Sequence, residues 1–509
     1  MRRQIFETLT LEKIVGGGQA LGTLADGRKC FVWGGLPDET VTVRITKKKS
    51  HFVEAVVEEV ISPSPDRIPP RDPDSYLSTS PWQIMTLEIE QIYKRQLIDD
   101  AFTLHNVALP AVIDVYCNDV AYGYRNKVEF SWYSEIGESG DTLDLAFFRR
   151  GSKGKIVIDG TSLAHPAINN LARAIRDLLR HKRVAARQLK TLLVRCDQSG
   201  SCVWQLYIKD RLPEIITADE AAKLPAQGGE IIYSDPRSPA SRITERLAHF
   251  GNTTLTDTIL GIPFRYACEG FFQVNIPVYE QALRDMKEWV PYNKARQERQ
   301  LDQLATHGYT DNRQRAISQK KSGQHGTNSQ HGSSNSFSEG FAFPASVRQE
   351  RQPDQLAARR PEEKDVCETG EPALDLYAGV GTIGLTIGDG NVTLVEINEH
   401  AVAEMQRNIT ELDRTDARAV LAPSEQALDY ITGKEIVIVD PPRAGLHTDV
   451  IATLLQKLPP RIIYLSCNPV TQARDVALLQ QNYRIVHHRG YNFFPRTPHI
   501  EHLVILDNK

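Results

Sequence analysis

A chain of 509 residues is too long for one ordinary hydrophobic core, so two to four domains are expected. Its composition, 41% hydrophobic and 24% charged, is that of a globular protein, and a net charge of -4 excludes a wholesale polybasic chain while leaving room for a basic stripe on one face. The seven cysteines, at positions 30, 117, 196, 202, 268, 367 and 467, are scattered; the nearest pair, Cys196 and Cys202, has no second pair to complete a zinc site, so no metal is expected, and a reducing cytoplasm is the natural compartment.

The N-terminus, Met1-Arg2-Arg3-Gln4-Ile5-Phe6-Glu7, lacks the apolar stretch of a signal peptide, and no later run approaches the length that spans a bilayer. Up to residue 62, apolar and polar positions alternate between glycine turns, as in Val41-Thr42-Val43-Arg44-Ile45 and Phe52-Val53-Glu54-Ala55-Val56-Val57. Short strands at this spacing predict a small β-barrel over 1–62. Lys47, Lys48 and Lys49 follow one of them, which fits a phosphate-contacting edge or a plain solvated turn. Pro63, Pro65, Pro69, Pro70 and Pro73 then mark a linker or domain edge.

Over 63–260 helix and strand patterns mix: Leu87 to His105 has helical periodicity, while Tyr124 to Trp132 and Lys190 to Ile208 alternate like strands, giving a second, α+β unit. Within it Tyr122, Tyr124, Arg125, Lys127, Phe147, Phe148, Arg149 and Arg150 interleave aromatic and basic residues. That composition suits stacking on unpaired bases, and equally an ordinary half-buried sheet.

The remainder, 261–509, is interrupted at about 292–368 by a polar stretch with little to bury, expected to be disordered. Inside it the segment Arg296 to Ala305 recurs as Arg348 to Ala357 with Leu301 replaced by Pro353; two copies of ten residues make no repeat fold. Beyond it, the apolar runs Ala373-Leu374-Asp375-Leu376, Val392-Thr393-Leu394-Val395, Ile436-Val437-Ile438-Val439, Arg461-Ile462-Ile463-Tyr464-Leu465 and Leu503-Val504-Ile505-Leu506 alternate with helical stretches. Continuous apolar strands between helices predict a buried, mostly parallel, doubly wound α/β sheet.

Gly379-x-Gly381-x-x-Gly384 opens a helix after the strand ending at Leu376, and Glu396 closes the next strand where a ribose-binding acid falls. The glycines alone would also suit a nicotinamide dehydrogenase. Asp375 and Tyr377 ahead of the turn, its late place in the chain, and a fourth strand ending in Asp440-Pro441-Pro442-Arg443 favour an S-adenosylmethionine-dependent methyltransferase. Cys467, in Leu465-Ser466-Cys467-Asn468-Pro469, stands at the carboxyl end of a strand, where ligands of this architecture bind, and is a candidate nucleophile. The plain alternative is a small core residue, but the loop-forming Asn468-Pro469 argues against burial there.

Together with Gly270-Phe271-Phe272-Gln273-Val274-Asn275 and the terminal His499-Ile500-Glu501-His502-Leu503, these motifs stand in the order of the RNA uracil-5-methyltransferases, which act on 23S ribosomal RNA or the tRNA T-loop. The chain resembles that family over nearly its whole length apart from the insert. The resemblance implies a TRAM-like RNA-binding barrel and a class I methyltransferase domain binding S-adenosylmethionine through Gln273, Tyr377, Gly379, Gly381, Glu396 and Asp440. It implies Cys467 as the nucleophile that adds to uracil C6 and Glu501 as the general base at C5. Asp440 would bind the uracil edge or support the cofactor, and Arg443 would stabilise an enolate or a phosphate. The expected partner is RNA, with 23S ribosomal RNA favoured and tRNA possible; a cytoplasmic monomer without membrane association is expected. Many relatives hold an iron–sulfur cluster with ligands in the segment corresponding to 66–83, which here has no cysteine, so a cluster-free member is expected. The competing readings are methylation of an exocyclic amine, which needs no nucleophile and against which Cys467 and Glu501 argue, and a silent RNA-binding factor, against which the intact residues at all five motifs argue.

Overall fold

The computed structural model describes residues 5–137, 140–290 and 371–509; the polar stretch expected to be disordered, with its duplicated segment, lies outside them. Strands Phe6–Ile14, Ala20–Thr23, Lys29–Trp33, Thr40–Lys48 and Phe52–Ser62 close into a barrel. The period-2 alternation turns Leu9, Leu11, Val41, Val43, Val53 and Ala55 into its core, and closure removes free sheet edges. In the second region a seven-stranded sheet, including Lys127–Tyr133, Leu189–Cys196 and Cys202–Ile208, is covered on one face by the helix Pro166–His181. That helix starts on Pro166 at its first position and buries Ile168, Leu171, Ile175 and Leu179, a stripe at helical spacing.

The C-terminal sheet has the order Ala417–Leu421, Val392–Glu396, Ala373–Leu376, Ile436–Val439, Arg461–Ser466, Glu501–Asn508, Tyr483–Tyr491, with Val115–Tyr116 added at the end. The first five pair in parallel and Glu501–Asn508 runs antiparallel between two neighbours. Apolar layers cover both faces, which is why these strands are apolar throughout. The strand order reverses between Ala373–Leu376 and Ile436–Val439, and the crevice at such a switch point is where open α/β sheets bind ligands. This is the mixed α/β architecture with a doubly wound C-terminal sheet that the pattern predicted.

Helix Leu87–Leu104 anchors the segment leading into the last strand. Its fully buried Lys94 pairs with Glu90 at 2.9 Å and donates to the carbonyl of Phe494 at 3.1 Å, and Glu90 accepts from the Arg496 N–H at 2.9 Å. A buried cation this deep must be paired, so the contact fixes residues 494–496 and, through them, His499 and Glu501. No helix among the described residues is long and apolar enough to cross a membrane.

Candidate active site

The turn after Ala373–Leu376 is built by backbone conformations that side chains resist. Gly379 and Gly381 have φ of 57° and 90°, and Tyr377, at 69°, is held in the same left-handed region, its hydroxyl accepting from Ser424 Oγ at 2.8 Å. The Gly379 N–H donates to Glu396 Oε2 at 2.9 Å, so the carboxylate at the end of the second strand braces the turn. Nothing lies within 4 Å of where a Cβ on Gly379 would be, leaving the backbone open to a ligand. Gly384 does different work: its N–H donates to Asp375 Oδ2 at 2.9 Å, and a Cβ there would meet Leu394 Cδ2 at 2.4 Å and Asp375 Oδ2 at 3.0 Å. Gly384→Ala is therefore expected to push helix Thr382–Ile387 off the sheet, costing about 1–3 kcal/mol and weakening S-adenosylhomocysteine binding; a thermal melt and calorimetric titration check both, and unchanged values would show that the turn does not depend on this contact.

The segment 270–275 is held from below by the buried Arg195, which donates to the carbonyls of Gly270 at 2.6 Å and Phe272 at 2.9 Å, and by Asn126, which donates to the Gln273 carbonyl at 3.1 Å. Gln273 thereby reaches a cavity of about 750 Å³, a size that suits a nucleoside-type ligand. Of the residues predicted to bind cofactor, Gln273, Tyr377, Gly379, Glu396 and Asp440 line this cavity. Gly381 does not; it turns the chain at the start of the helix, where a Cβ would sit 3.0 Å from Leu385 and 3.2 Å from Met405. The acids Glu396, Glu425 and Asp440, beside apolar Ile397 and Pro423, suit a cationic sulfonium cofactor. Sequence reasoning missed Ser424, because it follows the half-exposed strand Ala417–Leu421, whose Arg418 interrupts the apolar run.

Cys467 and Glu501 line the same cavity. Ser466 pairs with His502 across the antiparallel ladder, and one further step sets Cys467 opposite Glu501 on the face of the sheet shared with Leu465 and Leu503. Asp440 follows Ile438 on that face. Asn468 fixes the strand end: its N–H donates to Ser466 Oγ at 3.1 Å, its side-chain oxygen caps helix Pro469–Leu479, and its Nδ2 donates to the Arg443 carbonyl at 2.9 Å. The Asp-Pro-Pro-Arg and Ser-Cys-Asn-Pro loops are thus tied together.

Glu501 is 4% exposed and lies on an interior strand, so it is not a surface acid beside a sheet edge. Burial pushes its carboxyl well above the usual range, the Asp440 charge adds to this and Arg443 opposes it; burial also pushes Asp440 up to about 7. The Cys467 thiol is pushed up to about 11 by burial, then by the charges of Glu501 and Asp440, with Arg443 pulling it down by charge and a hydrogen bond. Arg443 donates to His499 Nδ1 at 3.0 Å. His499 is kept neutral and able to accept, its pKa lowered to about 4 by burial and then by the charges of Arg443, Lys94, Arg125 and Arg150. No group of three or more His, Cys, Asp or Glu is placed to hold a metal ion among the described residues.

Residues 426–509 match the family model for tRNA (Uracil-5-)-methyltransferase. A protein of Nitratidesulfovibrio vulgaris named as an RNA methyltransferase is 25% identical, covering 98% of this chain and 96% of the relative. One of Enterococcus faecalis with the same name is 24% identical over 94% of this chain and 92% of its own length. The fold matches the crystal structure of a Pyrococcus abyssi tRNA (uracil-54, C5)-methyltransferase in complex with S-adenosyl-L-homocysteine, with a TM-score of 0.66, 18% identity, and coverage of 98% of this chain and 100% of that one. That family model lies on the stretch that carries Cys467 and Glu501, and over nearly its whole length the chain is similar to proteins named as RNA methyltransferases.

Proposed function

We propose that the protein methylates C5 of a uridine in RNA through a covalent adduct at C6. The observation that carries this reading is that Cys467 and Glu501 line one cofactor-sized cavity together with Asp440 and Arg443. Uracil C5 is a poor nucleophile; a thiolate adding to C6 makes C5 an enolate carbon, able to take a methyl group. Bound S-adenosylmethionine supplies an electrophilic methyl. Glu501 then takes the C5 proton, the C6–S bond breaks, and Cys467 leaves as thiolate. Arg443 supports the thiolate and the enolate, while Gln273, Tyr377, Gly379 and Glu396 hold the cofactor. Asp440 supports the cofactor or the uracil edge. The target base must leave its stack to reach this depth.

The favoured substrate is 23S ribosomal RNA, on the analogy of the closed N-terminal barrel with RNA-binding modules; the barrel (1–62) and the α+β unit (63–260) would recognise RNA, and 261–509 would carry the chemistry. Transfer RNA is the second reading, supported by the name of the matching family model. The enzyme would act as a cytoplasmic monomer. Mapping 5-methyluridine in ribosomal and transfer RNA from a strain lacking the protein tests the reading: one uridine of 23S ribosomal RNA is expected to lose its methyl group. Loss from tRNA instead selects the second reading, and no loss in either overturns the activity.

The protein is also proposed to be cluster-free. The cysteine-free segment 66–83 is tied by polar contacts, with Asp72 N–H donating to Gln83 at 2.9 Å and Ser162 Oγ to Asp72 at 2.8 Å. Protein purified under strictly anaerobic conditions is expected to contain neither iron nor acid-labile sulfide, and stoichiometric iron would refute this.

A further inference from the structure

A second cavity, of about 510 Å³, is also lined by Cys467, and most of its wall has no part in the chemistry above. Its wall combines the Gly16-Gly17 turn and Trp33 of the barrel with Arg150 of the second region. It shares Arg443, Cys467 and His499 with the larger cavity, so the two chambers meet at the thiol.

The Arg150 guanidinium lies 4.1 Å from the centroid of the Trp33 ring. It donates to the backbone carbonyls of Leu77 and Ser78, contacts that fix its plane without neutralising its charge. Arg150, Arg125 and Arg443 have no carboxylate within salt-bridge distance among the described residues, and the charges of all three reach His499 at the junction. Two of these planar cations without acid partners, Arg150 and Arg443, line the second chamber with the Trp33 indole, in a space large enough for one nucleotide, which matches the chemistry that recognises single-stranded RNA. Guanidinium groups take phosphates, while rings and guanidinium planes stack on bases.

We propose that this second chamber holds the RNA nucleotide adjacent to the target uridine, with its base stacked on the Trp33 and Arg150 pair and its phosphate against Arg443. The assignment rests on the uracil-methylating reading, which puts the target at Cys467.

Equilibrium binding of fluorescein-labelled octauridylate in the presence of S-adenosylhomocysteine tests it. Trp33→Ala and Arg150→Ala are expected to weaken binding roughly tenfold or more, the size of one lost stacked base. Trp33→Phe should restore most of the affinity, and Arg150→Lys, which keeps the charge and loses the plane, should bind as weakly as Arg150→Ala. S-adenosylhomocysteine affinity and thermal stability should stay at wild-type values. In the wild-type protein, octauridylate carrying 5-iodouridine is expected to photo-crosslink to the peptide containing Trp33. Wild-type affinity in Trp33→Ala and Arg150→Ala, wild-type affinity in Arg150→Lys, or crosslinks confined to other peptides would each overturn the proposal. Binding and crosslinking need no turnover, so failure of the methylation reading would appear separately, as unchanged 5-methyluridine in the mapping experiment with these two readouts intact.

Discussion

RNA carrying 5-fluorouridine at the target is expected to be captured by the wild-type protein as a stable, methylated covalent complex, and not at all by Cys467→Ala. Fluorine at C5 cannot be removed as a proton is, so the adduct forms, accepts the methyl group and cannot eliminate. Alanine leaves the fold intact because Cys467 is a half-buried residue whose strand end is fixed by Asn468 and Ser466. The pH dependence follows from the same geometry. With the thiol pushed up to about 11, only on the order of one thiol in a thousand is ionised at pH 8, so the rate of adduct formation should rise about tenfold per pH unit through the neutral range. Arg443 is the group that pulls this thiol down; Arg443→Ala should shift the rise to higher pH and slow capture at pH 8, and Arg443→Lys should recover part of it. Single-turnover capture measured by denaturing gel reports both effects. Ordinary turnover by Cys467→Ala would end the assignment, and a pH-independent capture rate would mean that RNA binding itself ionises the thiol.

The parts of this fold that are legible in the sequence are those where burial acts on every residue of a segment. Strands Ile436–Val439 and Arg461–Ser466 are covered on both faces and read as unbroken apolar runs, and the barrel strands alternate because one face is wet. Ala417–Leu421 is invisible because it lies at the sheet edge, half exposed. Tyr483–Tyr491 is masked by its polar residues, among them His487, His488 and Arg489, and missing it makes Glu501 look like an acid beside an edge strand. The aromatic and basic set of the second region divides in the structure: Phe147 stacks on Phe130 in the core, Tyr124 donates to the Pro495 carbonyl, and Arg125 and Arg150 face the two cavities. Composition cannot make that division, because it depends on which side chains the barrel and the last strand bring together. Trp33 is the extreme case, lining a chamber with Cys467 from the far end of the chain without any local signal.

Glu501→Gln is expected to separate the two halves of the reaction. Glutamine keeps the volume of the side chain on the buried strand and removes the group that accepts the C5 proton, so overall turnover should fall by ~10²–10⁴-fold, the usual scale for a lost general base. Attack should survive. The Glu501 charge stands second only to burial among the causes that hold the Cys467 thiol up, so its removal lowers the thiol pKa and should speed capture at a given pH. With ordinary uridine as substrate, the methylated adduct should then accumulate, visible as protein carrying RNA on a denaturing gel, where wild-type protein shows little. The raised pKa of Glu501 suits this division of labour, since a carboxylate buried beside Asp440 is a stronger base than an exposed one and gains more by taking a proton. Turnover at the wild-type rate would move the base elsewhere, with Asp440, whose carboxyl lines the same cavity and acts on Glu501 by its charge, the first group to test. Failure to form any adduct would put Glu501 in the addition step instead, as the group that ionises the thiol opposite it.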